Sequence, residues 1–172
     1  MLDKGFIQVY TGNGKGKTTA ALGIALRAIC AGNKVFIGQF MKGQKYSELR
    51  APELLKGLTI EQFGDVSFCQ GIPSEKDFEN AAKGLERMKE LLPGGEYDLV
   101  IMDEINTALF FKLIKTEDVL HLLDMKPQTV EVIMTGRYAP EEIIDRADLV
   151  TEMKEIKHYY NKGVQARKGI ED

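Results

Sequence analysis

The sequence predicts an α/β fold built on a mainly parallel sheet of about six strands. Three observations carry that expectation. Short runs of β-branched, aromatic and aliphatic residues alternate along the chain with stretches of helical periodicity. A loop holding Gly12, Gly14 and Gly16 joins the first such run to the first helical stretch. One run, residues 97–103 (YDLVIMD), is apolar on both faces, as a strand covered on either side must be.

Taken in order, residues 6–10 (FIQVY) form the first strand and the Ala/Leu-rich stretch from Lys17 the first helix. Gly32-Asn33 is its C-cap. Residues 34–40 (KVFIGQF) are the second strand, followed by a polar loop, 41–47, and a short helix over 48–56 with Pro52 early in it. Residues 58–63 (LTIEQF) alternate as a third strand. Residues 64–73 have no period and two glycines, and read as a long loop of the kind that carries function. Ser74 and Asp77 make a near match to a capping box, opening a helix to about Leu92. The apolar run 97–103 is the central, fourth strand, followed by two helical segments, one from Thr107 and one from Thr116 to about Met125. Residues 129–135 are the fifth strand, Pro140 sits in the first turn of a helix to about Ala147, and 148–153 are a short sixth strand. The tail, 157–172, holds His158, two tyrosines and several cations, and reads as a frayed end or a lid.

Strand, glycine loop, Lys17-Thr18-Thr19 and helix together make a phosphate-loop arrangement, which makes the fold a three-layer, phosphate-loop NTPase-like (RecA-like) one in a single domain, 1–172. Loop N–H groups and the positive end of the helix bind polyphosphate. Lys17 adds a point charge on the phosphate oxygens, and the Thr18 hydroxyl is placed to ligate Mg²⁺. The strict spacing would put Gly at position 11, where this chain has Thr11, so a variant loop is expected.

Asp103 and Glu104 end the central strand on the rim where ligands of parallel sheets collect, and a carboxylate there holds Mg²⁺ directly or through water; the alternative is a strand-ending acid that caps the next helix. Thr135-Gly136-Arg137 ends another strand on that rim, where Arg137 either clamps phosphate or lies on the surface of a turn. Lys42, Tyr46 and Lys45 follow the second strand as ligand contacts or as a solvated loop. His121 reads as structural, and His158 is open. No Ser/His/Asp or Cys/His nucleophile arrangement stands out. The dinucleotide fingerprint fails because a glycine is needed where Lys17 stands. Asn161-Lys162-Gly163 is followed by Val164, not the Asp of the guanine-specifying motif, so adenine is favoured.

Composition narrows the classes further. A net charge of −3 gives no basic excess for nucleic acid. No apolar run is long enough to span a bilayer, and no signal-peptide core precedes the first strand. Cys30 and Cys69 form no CxxC or Cys/His cluster, and Cys30 is expected on an apolar helix face. These features imply a soluble protein of a reducing cytoplasm.

The quoted segments, with VFIGQFMKG (35–43), MDEIN (102–106), ADLVTEM (147–153) and IKHYYNKGVQARKGIE (156–171) in that order, resemble the phosphate-loop family of ATP:corrinoid adenosyltransferases over nearly the whole chain. The resemblance implies a reaction in which Co(I) of a reduced corrinoid, cob(I)alamin or a cobinamide-type precursor, attacks C5′ of ATP and triphosphate leaves. Co(I) is a strong nucleophile, so the protein needs placement and charge stabilisation and no general base. The resemblance further implies ATP bound in reverse, its terminal phosphate taking the usual place of the α-phosphate.

By residue, it places the triphosphate on Asn13, Gly14, Lys15, Gly16, Lys17, Thr18 and Thr19, beside Thr11 and Gly12, with Arg137 on a phosphate and Mg²⁺ on Thr18 and Glu104, with Asp103. Family aromatics in the loop after the third strand exclude the lower cobalt ligand. Here that loop has no Trp; Phe68, flanked by Ser67 and Cys69, takes the role. The family also implies a homodimer and a flavoprotein-type reductant. The N-terminal extension that closes the site in some members is missing from the sequence. Two rivals share the loop: a small-molecule kinase, which needs a base and releases ADP, and a nucleotide switch or corrinoid carrier without turnover.

Overall fold

The computed structural model describes residues 2–65 and 72–171. Six strands form one sheet: β1 (Ile7–Thr11), β2 (Val35–Phe40), β3 (Leu58–Phe63), β4 (Leu99–Asp103), β5 (Glu131–Thr135) and β6 (Leu149–Glu152). Their spatial order is β3-β2-β4-β5-β1-β6, and every pairing is parallel. The helices are α1 (Lys17–Cys30), α2 (Ala51–Leu54), α3 (Glu75–Leu91), α4 (Ile105–Phe110), α5 (Thr116–Asp124) and α6 (Glu141–Arg146).

Alternation along each strand builds two cores. Phe36 and Phe40 of β2, Val100 and Met102 of β4, and Val132 and Met134 of β5 face α3, α4, α5 and α6, where Met88, Ile105, Leu122 and Ile143 close the layer. The intervening Val35, Ile37, Leu99, Ile101 and Ile133 face α1, through Ala21 and Ala25. All five residues of β4 are buried, as a central strand requires. Alanines on α1 let that helix lie close to the sheet, which fixes the loop that precedes it.

The caps follow the chemistry of the sequence. At the end of α1, Asn33 N donates to Ala28 O and Gly32 N to Ile29 O, with Gly32 at φ +85°, a Schellman arrangement. Ser74 accepts from Asp77 N while the Asp77 carboxylate accepts from Ser74 N, so the shorter Asp completes the capping box. Three expectations change. The segment 48–56 is a 3₁₀ turn (Ser47–Arg50) running into the single turn of α2, because Pro52 lies in the first turn and the chain is extended again at Leu55. Pro140 is the N-cap of α6, extended at ψ 148°, one position before the helix. Cys30 is exposed at the last position of α1, off the face that Ala21 and Ala25 bury. Among the described residues no helix is long and apolar enough to cross a membrane.

Candidate active site

The order of strands decides what can meet. β1, which leads into the glycine loop, and β4, which ends in Asp103, are separated by β5 alone. The end of β5 therefore bridges the two, and Thr135 is the residue that does so.

Two glycines of the loop carry positive φ, Gly12 at +93° and Gly16 at +119°, conformations a side chain opposes. Gly14 is required by proximity: an added Cβ would lie 2.8 Å from Met153 O, the carbonyl that accepts from Gly14 N at 2.7 Å. Met153 N in turn donates to Thr11 O at 2.8 Å, so the backbone just after β6 is the rear wall of the loop. Thr11, where the strict motif has glycine, is buried, and its Oγ1 accepts from Ala139 N at 3.2 Å. The side chain thus ties the loop to the segment after β5, a use glycine cannot supply.

Lys17 curls back over the loop. Its Nζ donates to Gly12 O at 2.7 Å and Gly14 O at 2.8 Å, and the residue is only 6% exposed. Burial pulls its ammonium below the ordinary lysine range; Glu104 and Asp103 partly offset this, while the Arg137 charge adds to it. An anion delivered to the loop would meet a partly desolvated cation, where electrostatic attraction is stronger than in water.

Asp103 is the hub of the rim and is 1% exposed. Its Oδ1 accepts from Thr18 Oγ1 at 2.8 Å and from Thr135 Oγ1 at 2.6 Å. Its Oδ2 accepts from Lys42 Nζ at 2.7 Å and, at 3.5 Å, from Gln39 Nε2. Burial by itself lowers Lys42, but the charge and hydrogen bond of Asp103, with Glu104 and Glu48 behind it, carry the net shift upward. Thr135 Oγ1 also accepts from Glu104 N at 3.0 Å. Glu104 has φ +60°, a strained setting for a side chain, and Thr107 Oγ1 donates to its Oε2 at 2.5 Å. The same Thr107 hydroxyl accepts from Arg137 N at 3.1 Å, so the β4 and β5 ends are cross-braced.

These residues surround a cleft of about 550 Å³, within the range of small-molecule sites. Asn13 to Thr19, Glu104 and Arg137 line it, as the sequence leads one to expect. Thr11 and Gly12 do not line it, and Asp103 lines a narrow pocket beneath, with Thr18 shared between the two. The cleft also takes in Lys42, Tyr46 and Glu48 from the β2 side and His158, Gly169, Ile170 and Glu171 from the tail. Lys15 reaches this tail, its Nζ donating to Ile170 O at 3.3 Å and lying 3.8 Å from Glu171 Oε1.

Sequence reasoning placed Thr135 on the rim without a role of its own, and missed Gln39 and Thr107 as members of the site. A polar residue near the end of an apolar strand, where Gln39 and Thr135 are fully buried, is the signal for those two; Thr107, on α4, carries no such signal. Phe68 and Cys69, expected at the lower ligand, lie outside the described residues. Among the described residues no three His, Cys, Asp or Glu side chains converge as a metal cage. The oxygens of Thr18, Asp103 and Glu104 are nonetheless hard donors of the kind Mg²⁺ takes, one or two at a time, with substrate phosphates filling the rest.

A model of the family described as ATP:corrinoid adenosyltransferase BtuR/CobO/CobP matches residues 3–171. The chain is 38% identical over 179 residues to a corrinoid adenosyltransferase of Sinorhizobium sp, across 98% of this chain and 81% of that one. It is 35% identical over 171 residues to the corrinoid adenosyltransferase of Escherichia coli (strain K12), across 98% and 86%. Among solved structures, the flagellar accessory protein FlaH of Methanocaldococcus jannaschii superposes with a TM-score of 0.60 at 13% identity, covering 88% of this chain and 72% of that one. The KaiC-like protein PH0186 of Pyrococcus horikoshii OT3 gives 0.57 at 16%, covering 91% and 76%. Those two likenesses concern the fold alone, the phosphate-loop NTPase-like architecture. Sequence and family model agree over nearly the whole length: the chain belongs to the ATP:corrinoid adenosyltransferase BtuR/CobO/CobP family.

Proposed function

We propose that the cleft carries out the family's adenosylation with the residues gathered on its rim. The nucleophile is Co(I) of a reduced corrinoid, a substrate. It attacks C5′ of ATP, the cobalt–carbon bond forms, the C5′–oxygen bond breaks, and triphosphate leaves with the electron pair. No proton moves in that exchange, so the rim's carboxylates need act only as partners of its hydroxyls and cations, not as a general base.

Amides of Asn13 to Thr19 and the start of α1 hold the triphosphate, Lys17 leaves its two carbonyl partners for phosphate, and Arg137 reaches another phosphate from the end of β5. Thr18 and Glu104, with Asp103 behind them, hold Mg²⁺, which when bound neutralises charge on the departing triphosphate. ATP lies reversed on the loop. Cob(I)alamin or a cobinamide-type precursor is the acceptor, and Phe68 and Cys69 contact it. The C-terminal tail, 156–172, covers the site. A homodimer, a flavoprotein-type reductant and a cytoplasmic setting complete the reading.

The observation that carries the assignment is the family match over residues 3–171, and the Thr18–Asp103 hydrogen bond of 2.8 Å, which joins the phosphate loop to the acid end of the central strand, supports its phosphate and metal part. The test mixes protein, Mg-ATP and chemically reduced corrinoid, follows the cobalt–carbon absorption change and identifies the phosphate product. Triphosphate and alkylated cobalt are expected; ADP without alkylated cobalt would point to the kinase reading. Lys17→Ala should abolish turnover, by at least about a hundredfold for a leaving-group cation, with its circular dichroism spectrum unchanged. Near-normal activity in that variant would remove Lys17 from the mechanism.

A further inference from the structure

Lys42 does something in this cleft that the loop and its acids do not account for. Its Nζ lies 2.7 Å from Asp103 Oδ2, 3.4 Å from Thr18 Oγ1 and 3.9 Å from Glu48 Oε1, with the Tyr46 ring 5.2 Å away. The first two atoms belong to groups that a hard divalent cation would use. The ammonium therefore sits where a metal ion serving the hydroxyl and the carboxylate would sit.

We propose that Lys42 is a tethered stand-in for the divalent cation, holding the Asp103–Thr18 pair in the nucleotide-free protein and yielding it to the metal when Mg-nucleotide binds. The proposal rests on the magnesium reading above and adds to it a competition that governs when the metal is taken. A buried carboxylate without a counter-ion is strongly disfavoured, and Asp103 is buried. Its Oδ1 is already occupied by Thr18 and Thr135, which leaves Oδ2 for a cation, and Lys42 is the cation on it, at 2.7 Å against 3.5 Å for Gln39 Nε2. An ammonium and a divalent ion cannot share that oxygen without close repulsion.

Lysine suits the part. Its charge is a point on a flexible stem, so it can leave without rebuilding a fixed fork of hydrogen bonds as arginine would. It follows Met41, held at φ +56°, directly after β2 ends, and it lines the same cleft as Gly16 and Thr18. The negative charge that a displaced Lys42 would then meet is the triphosphate. The consequence is an order of binding: free metal is resisted by the resident ammonium, whereas metal arriving with nucleotide brings the anion to which Lys42 transfers.

The test uses Lys42→Met, which keeps stem length and removes the charge. In the absence of nucleotide, the loss of the free Mn²⁺ electron paramagnetic resonance signal on titration with protein gives the metal affinity directly. The variant should bind Mn²⁺ about tenfold or more tightly than the parent protein, because a competitor has gone, and should bind Mg-triphosphate more weakly. Where Lys42→Met is unstable through its unpaired Asp103, Mn²⁺ should raise its melting temperature far more than that of the parent. The double variant Lys42→Met/Asp103→Asn, in which neither charge remains, should show neither gain. Unchanged Mn²⁺ affinity and no Mn²⁺-specific stabilisation in Lys42→Met would overturn the proposal. A separate arm compares ATP affinity of the parent protein with Mg²⁺ and with EDTA: equal affinities would bring down the magnesium reading itself, whereas metal-dependent affinity without the Lys42→Met gain would remove the stand-in alone.

Discussion

A single hydroxyl shows how tightly the rim is specified. Thr135 Oγ1 donates a hydrogen bond to Asp103 and accepts one from Glu104 N, so one atom sets both acids. Thr135→Val keeps the shape and removes both bonds. It leaves the part-buried Glu104 amide without this partner and Asp103 Oδ1 with Thr18 alone, at a cost of about 1–3 kcal/mol. Urea unfolding should report that loss, and turnover should fall as Glu104 is released from its left-handed setting. A variant as stable and as active as the parent would show that Thr135 only fills space. Lys42 illustrates the other side of residue-scale reading. A lysine in a polar loop has the same sequence signature whether solvated or buried on a carboxylate, so only the fold distinguishes the two.

Between elements, one close approach lies where α3 crosses the sheet. Gly84 is buried in the middle of that helix, and a Cβ there would meet Phe40 Cε1 at 2.6 Å and Phe63 Cγ at 2.8 Å. Replacing glycine by alanine within a helix ordinarily gains about 1 kcal/mol. Here the methyl would drive apart two rings, Phe40 and Phe63, whose centroids are 5.6 Å apart. Overpacking of this kind costs about 1–3 kcal/mol, so Gly84→Ala should lower stability on balance, and a raised denaturation midpoint would contradict the packing. The elements themselves were largely legible. Residues 58–63 read as a strand and are one, and 97–103 contain the central strand, because burial on both faces leaves an unbroken apolar run. The segment around Pro52 was less so, since proline permits a first helical turn without saying whether another follows.

Across the whole molecule, the C-terminal tail meets the phosphate loop. The Glu171 carboxylate accepts from Arg167 and from the Tyr159 hydroxyl, and it lies beside Lys15 of the phosphate loop. The hydrogen bonds from Arg167, and then from Tyr159, push its carboxyl down to about 2 from an ordinary 4.5. A carboxyl lower in the folded than in the unfolded state stabilises the fold above the unfolded value and loses that contribution as pH falls through the folded one. The tail contact should therefore persist at pH 5 and weaken between about 4.5 and 2. A Glu171 carboxyl shift followed by NMR should titrate near the lower value, and titration near 4.5 would mean the clasp does not form. None of this was visible in the sequence, where the tail read equally as frayed end or lid. Pairing between residues 155 apart depends on the completed sheet, not on any local pattern.

The carbonyl and amide of Met153 lean on Gly14 and Thr11, so the nucleotide cradle near the start of the chain is completed by backbone near its finish. During synthesis, then, the glycine segment would emerge from the ribosome long before its support does. Substrate would find no competent cradle on a polypeptide that had not yet grown past Met153, and occupancy of that cradle would report that the sixth strand had been made and docked.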